Sequence, residues 1–210
     1  MFPYFYNIMA KTPNTDQISV AILVAYFSRM LPLSDEEKEL VKSKFKSRLY
    51  RKHQYILQEG DVCKVFNFVV SGCLKMYNVD ESGTTHIIQF AIENWWISDL
   101  GSFYSKKPSE LNIEAVENTT VLQINHEDLL DLYIKAPNFN RIFRVLVENS
   151  LVKMQERLLQ NLGSDARVRY EQFIKQYPAL SNRIPNTYIA SNLGITPEFL
   201  SKIRNKRISG

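Results

Sequence analysis

The 210-residue chain holds little of what builds reactive or metal sites: two cysteines, three histidines, two tryptophans and seven glycines. Cys63 and Cys73, ten residues apart, make neither a disulfide framework nor a four-ligand metal set, and read as small strand residues. His53, His86 and His126 each stand alone in a strand or loop, which argues against haem and against a cupin-like metal centre. No Ser/His/Asp or Cys/His set is legible, so the reading is of a non-enzyme without metal or cofactor. Seven glycines and eight prolines exclude a collagenous or low-complexity chain. The longest apolar run, Val20 to Phe27, is far short of the ~20 residues a membrane crossing needs. It also starts deep and lacks a small-residue cleavage site, so no secretory signal is read. With 45% apolar and 23% charged residues, what remains can bury a core. A cytoplasmic protein of one large domain or two small ones is expected.

The net charge of +4 is unevenly placed. From Ser164 onward eight Lys/Arg face three acids, a net of +5, while the first 163 residues carry 18 basic and 19 acidic side chains. Four of those eight basic residues, Lys202, Arg204, Lys206 and Arg207, fall within the last nine positions. Such asymmetry points to an anionic partner for the C-terminal segment; a solvated basic tail is the bland alternative.

Residues 1–15 are aromatic but aperiodic and read as an irregular lead-in. Asp16 caps a dense apolar helix to about Met30, which Pro32 ends. Ser34 and Glu37 form a capping box for a second helix, with Leu40, Val41, Phe45 and Leu49 as its apolar face. From Tyr50 to about Asn125 the period changes to two. HQYIL, VFNFVVS, CLKMYNV, THIIQFA, NWWIS, LNIEAV and TVLQIN read as short strands parted by Gly- and Ser-containing turns, a compact antiparallel barrel or sandwich. A short helix fits Glu127 to Lys135. Pro137 then opens a long one to about Leu162, stopped by Gly163, with Phe143, Val147, Leu151, Met154 and Leu158 on one face. At on the order of 37 Å it either outreaches the barrel to pack on another chain or lies across its own barrel. Ser164 or Asp165 caps a helix to about Gln176 with Val168, Phe173 and Ile174 inward.

Residues 186–205, NTYIASNLGITPEFLSKIRN, read as two short helices about a tight turn. Ile189 and Leu193 bury the first helix, and Ala190 is small so that the second can cross it. Gly194 supplies a positive φ, Ile195 plugs the angle, and Leu200 and Ile203 bury the second helix. Thr196 is a good N-cap with Pro197 at the first helical position. This is a helix-turn-helix pattern. Its outward residues are Pro197, Glu198, Ser201, Lys202 and Asn205. Glu198 suits a cytosine amino group and Lys202 guanine O6/N7, whereas Thr196, Arg204, Lys206 and Arg207 suit phosphates.

With a β-roll of this layout, a long helix behind it and this C-terminal motif, the sequence resembles the Crp/Fnr family of bacterial transcription regulators. The matching pieces are ILQEGD (56–61), FNFVVSGCLKMY (66–77), ISDLGSF (97–103), TVLQIN (120–125) and IPNTYIASNLGITPEFLSKIR (184–204). The resemblance implies an α+β chain: N-terminal helices and a cyclic-nucleotide-binding-like jelly roll over 1–136, a dimerisation helix over 137–163, and a helix-turn-helix domain over 164–210. It also implies homodimeric binding to an operator in double-stranded DNA, RNA polymerase as a partner, and bias by a small-molecule effector.

Two departures qualify it. Nucleotide-binding members carry Gly-Glu-Leu-Gly and, eight residues on, Arg followed by Ser or Thr. Here Ser98-Asp99-Leu100-Gly101 is followed by Ser109-Glu110, so a buried phosphate lacks its bidentate Arg and cAMP is not the expected ligand. Phe90, Trp95, Trp96 and Phe103 are either barrel core or, with Asp99, Leu100, Gly101 and Ser109, the walls of a pocket for an apolar effector. The β-hairpin wing that usually follows the reading helix in that family is not expected in these 210 residues, which would remove some backbone contacts. The alternative function is a non-DNA effector-binding or protein-interaction module of the same fold.

Overall fold

The computed structural model describes residues 15–178 and 180–208, so the lead-in lies almost wholly outside the described residues. Helix α1 (Thr15–Met30) buries Val20, Leu23 and Phe27. Helix α2 (Asp35–Lys44) starts on the anticipated capping box: the Ser34 hydroxyl accepts the Glu37 amide at 3.2 Å, and the Glu37 carboxylate accepts the Ser34 amide at 2.9 Å. It ends five residues sooner than the apolar spacing suggested. Phe45 is already extended, and Leu49 lies in strand β1 (Lys46–Tyr50), 63% exposed. A spacing of four residues satisfies both the helical and the strand period, so Leu49 could not discriminate between them.

Seven further strands complete the roll: β2 (Tyr55–Leu57), β3 (Val65–Ser71), β4 (Leu74–Val79), β5 (Thr85–Ala91), β6 (Trp96–Ile97), β7 (Asn112–Ala115) and β8 (Thr119–Asn125). They form two four-stranded antiparallel sheets, ordered β1-β8-β3-β6 and β2-β7-β4-β5. At the turn between β3 and β4, Gly72 has φ +99°, and a Cβ there would sit 2.5 Å from the Thr119 hydroxyl, so no other residue fits. Between the sheets lie Phe66, Phe68, Leu74, Met76, Ile113, Leu122 and Ile124. Helix α1, helix α4 (His126–Lys135) and the first turns of helix α5 (Asn138–Gly163) close this core through Leu129, Leu132, Phe139, Ile142 and Phe143.

A second apolar cluster lies on the outside of the β2-β7-β4-β5 sheet. Cys73, Tyr77, Ile87, Phe90 and Val116 of the roll meet Tyr170 and Phe173 of helix α6 (Ala166–Gln176), then Tyr177, Leu180 and Ile184. Helices α7 (Asn186–Leu193) and α8 (Pro197–Ile208) complete it with Ile189, Ala190, Leu193 and Leu200. Val168, read as inward, is 38% exposed; Tyr170, Phe173 and Tyr177, spaced by three and four, take the buried side. The C-terminal helices therefore share a core with the roll.

Polar bonds fix the same contact. β5 is a sheet edge, and α7 covers it: the Ser191 hydroxyl donates to the Thr85 carbonyl at 2.5 Å and accepts the Ile87 amide at 3.1 Å. The Ile87 carbonyl accepts from Asn192 Nδ2 and from the Arg157 guanidinium of α5, each at 3.1 Å. Arg183 bridges Glu93, at 2.9 Å, and Glu117. Burial would raise the Glu93 carboxyl, but the Arg183 guanidinium and the Gly72 amide outweigh it and hold it below the usual range.

Candidate nucleic-acid interface and effector cleft

The turn between α7 and α8 is made as its residues dictate. Gly194 takes φ +63°, and the Ile195 amide reaches back to the Ala190 carbonyl at 3.0 Å, closing the end of α7. Open space surrounds the Cβ position of Gly194, so its requirement is the dihedral and not the room. Ala190 is 1% exposed and Leu200 is fully buried where the two helices cross. The Thr196 hydroxyl accepts the Phe199 amide at 3.2 Å, capping α8.

The buried side of α8 fixes its free side. Glu198, Lys202 and Asn205 are exposed on one face, with Ser201 exposed beside them and Pro197 half-buried at the first turn. Glu198 and Lys202 lie one turn apart. Its own amide at the helix start, and then the Thr196 hydroxyl, hold the Glu198 carboxyl below its usual range, so it stands ready as an acceptor. The Ser201 hydroxyl donates back to the Pro197 carbonyl at 3.0 Å. Arg204 is half-buried and donates to the Asn186 side chain at the start of α7, so it fastens the two helices together. The backbone of α8 runs through Lys206 and Arg207, whose side chains lie outside the described residues. Phe199, which sequence reasoning passed over, is 48% exposed on the flank of this face.

The cleft residues are placed differently. Asp99 caps helix α3 (Leu100–Ser105), an element the sequence reading did not anticipate, by accepting the Ser102 amide at 3.1 Å. Its other carboxylate oxygen accepts the Ser109 hydroxyl at 2.6 Å, and Ser109 Oγ accepts the Leu111 amide at 3.0 Å. The Ser102 hydroxyl donates to the Lys107 carbonyl at 2.6 Å and accepts the Cys63 amide at 2.9 Å. Ser102 and Ser109 are buried, whereas Gly101, Lys106, Lys107 and Glu110 are exposed and Leu100 is half-buried against the core.

The aromatic residues read as core or pocket wall are core. Trp96 packs among Phe66, Phe68, Phe143 and Phe27, with ring centroids 4.9 to 5.9 Å away. Phe90 and Trp95 face the C-terminal helices, Trp95 packing at a tilt on Tyr177 at 5.3 Å and Phe90 meeting Phe173 and Tyr177 edge-on. Burial in that cluster pushes the Cys73 thiol up to about 12, which keeps it protonated and inert. His53 bonds Glu114 at 2.8 Å, His86 bonds Asp80 at 2.6 Å, and His126 packs on Phe103 and Tyr104. No group of three or more metal-ligating side chains occurs among the described residues, and no described helix is long and apolar enough to cross a membrane.

Helix α5 has two unlike ends. Phe143, read as part of a contact with a second chain, is buried in its own core against Phe27, Trp96 and Tyr133. Beyond it Val147, Leu151, Met154 and Leu158 are 43 to 63% exposed, flanked by exposed Val152, Leu159 and Leu162. Lys153, lying over Trp95 at 4.5 Å, and Arg157 mark the side facing the roll and α7. The apolar stripe lies about a third of a turn around from that side, open to solvent.

These features define a cyclic-nucleotide-binding-like roll joined by a long helix to a helix-turn-helix. Residues 47–135 match the family model of the cyclic nucleotide-binding domain. The chain is similar over 79% of its length to FixK2 from Bradyrhizobium japonicum, with a TM-score of 0.70, 18% identity and 85% of that chain covered. It is similar over 88% to the catabolite activator protein of Thermus thermophilus, with a TM-score of 0.54, 20% identity and 87% of that chain covered. The Anaerobic regulatory protein of Pasteurella multocida is 25% identical over 164 residues, 73% of this chain. That match spans 59% of the relative's own length. Residues 47–135 thus carry a cyclic nucleotide-binding domain, and the chain as a whole has the fold of these solved proteins.

Proposed function

We propose that the chain is a sequence-specific DNA-binding transcription regulator that acts as a homodimer through α5 and whose roll takes no cyclic nucleotide. The observation that carries the reading is the outward face of α8, where Glu198 and Lys202 stand exposed one turn apart on a helix whose other side is buried. A helix so presented enters the major groove by its first turns, with Glu198 accepting from cytosine and Lys202 donating to guanine.

The outward apolar stripe of α5 supports pairing with a second copy, because helices so striped bury the seam against one another. A two-fold pair then offers two reading helices to half-sites about 34–36 Å apart. The bond from Ser109 to Asp99 supports the exclusion of a cyclic phosphate. The two positions that would hold ribose and phosphate are joined to each other, and no guanidinium is among them.

Genomic footprinting of the native protein tests the reading, with a two-fold symmetric protected site as the expected result. In vitro, duplex affinity should fall steeply with salt, by a slope close to the number of phosphates neutralised. Binding that is flat in salt, with no protected site, favours a protein-interaction module instead.

A further inference from the structure

Phe199 is a large apolar side chain left 48% exposed on a helix whose inward positions are held by buried Leu200 and half-buried Ile203. Its amide is the one that the Thr196 cap satisfies, so it belongs to the first turn of α8. That turn is the part of a reading helix that goes deepest into the groove. At about 100° per residue, Phe199 stands a quarter-turn around from Glu198 and about 60° from Lys202, on the flank of the same face. The exposed side chains beside it, Glu198, Ser201 and Lys202, offer hydrogen-bonding groups, whereas Phe199 offers only an apolar ring. In the major groove the one apolar group a base pair presents is the C5-methyl of thymine.

We propose that Phe199 is a specificity-determining residue that reads a thymine methyl group next to the base pairs taken by Glu198 and Lys202. The half-site is then defined by three side chains, two reading hydrogen-bonding edges and one reading shape. Covering the ring removes it from water at the moment of binding, which accounts for its exposure in the free protein. The proposal rests on α8 being the DNA-reading helix.

The test is a selection from random duplexes with the full chain, followed by replacement of each enriched thymine with deoxyuridine, which lacks only the methyl. One thymine per half-site should be sensitive, its replacement weakening binding about four-fold, the worth of one buried methyl. Phe199→Ala should bind the two duplexes equally, and Phe199→Leu should keep part of the preference. If no enriched thymine is sensitive to loss of its methyl, or if Phe199→Ala still discriminates, the assignment of Phe199 is overturned while the reading role of α8 stands. If the selection enriches no sequence, the reading role fails and the proposal with it. The deoxyuridine comparison uses the unaltered protein, so it holds even if a variant folds poorly.

Discussion

Helices α3 and α8 both start on an oxygen-bearing cap: the Asp99 carboxylate takes the Ser102 amide, and the Thr196 hydroxyl takes the Phe199 amide. Past that first bond they diverge. Around α3 the polar groups close on one another, Asp99 with Ser109 and Ser102 with both Lys107 and Cys63, and Ser102 and Ser109 are buried. Around α8 the outward groups Glu198 and Lys202 face solvent. A satisfied, buried set of hydrogen bonds is costly to open for a ligand, whereas exposed charges give up only water. The difference supports the proposal that recognition lies at the chain's C-terminal end, with the bonds around Asp99 and Ser109 acting as a structural joint of the roll.

The largest expected effect tests whether two such faces act together. Leu151→Glu combined with Leu158→Glu alters only exposed positions, so each protomer should stay folded. Like charges facing each other across a paired seam should nevertheless separate the copies. Sedimentation should show a monomer, and affinity for a two-fold site should fall at least about a hundredfold, the usual worth of linking two binding modules. An unchanged sedimentation coefficient would show that the stripe of α5 does another job.

Next in size is the joint between the roll and the C-terminal helices. Leu200 is fully buried in the cluster that both regions share. Leu200→Ala should cost about 2–5 kcal/mol in urea unfolding, the range for an emptied leucine site. Because Phe90, Tyr177 and Leu200 belong to one cluster, the loss should appear in a single transition reported alike by probes in both halves. Two separate transitions would mean that the C-terminal helices fold independently of the roll.

Much of this arrangement was legible beforehand. Six of the seven strand segments read from the period-two pattern contain the observed strand, the seventh, TVLQIN, starts one residue inside β8, and Ala190, Gly194 and Leu200 are used as their spacing implied. The illegible parts share a cause: they depend on what faces a segment, which a single sequence does not carry. Leu49 fits a helix as well as a strand, and only pairing with β8 decides. Phe143 continues the stripe of Leu151 and Leu158, but the roll's own core reaches it first. Phe90 and Trp95 look like pocket walls until the C-terminal helices cover them. Phe199 could have been found by noting that it falls outside the inward positions held by Leu200 and Ile203.

Cutting the two caps sharpens the opening contrast. Asp99→Ala removes the acceptor for both the Ser102 amide and the Ser109 hydroxyl, so it should cost about 2–3 kcal/mol, more than a cap alone. Saturating cyclic AMP should leave the thermal midpoint of the unaltered protein where it was; a ligand at a hundred times its Kd would add about 2.7 kcal/mol. A clear upward shift would mean that the bond between Asp99 and Ser109 opens for the nucleotide.

Thr196→Ala should give the smallest effect and the most telling one. It removes one cap bond, worth about 1 kcal/mol, and also the hydroxyl that helps hold the Glu198 carboxyl below its usual range. Thr196→Ser keeps both bonds and should restore the stability. If α8 reads DNA by its first turn, Thr196→Ala should weaken duplex binding by more than its loss of stability explains, since the fraying turn carries Glu198 and Phe199. If binding and stability fall in step, the first turn is only a structural start to the helix, and the contrast with α3 is one of exposure without recognition.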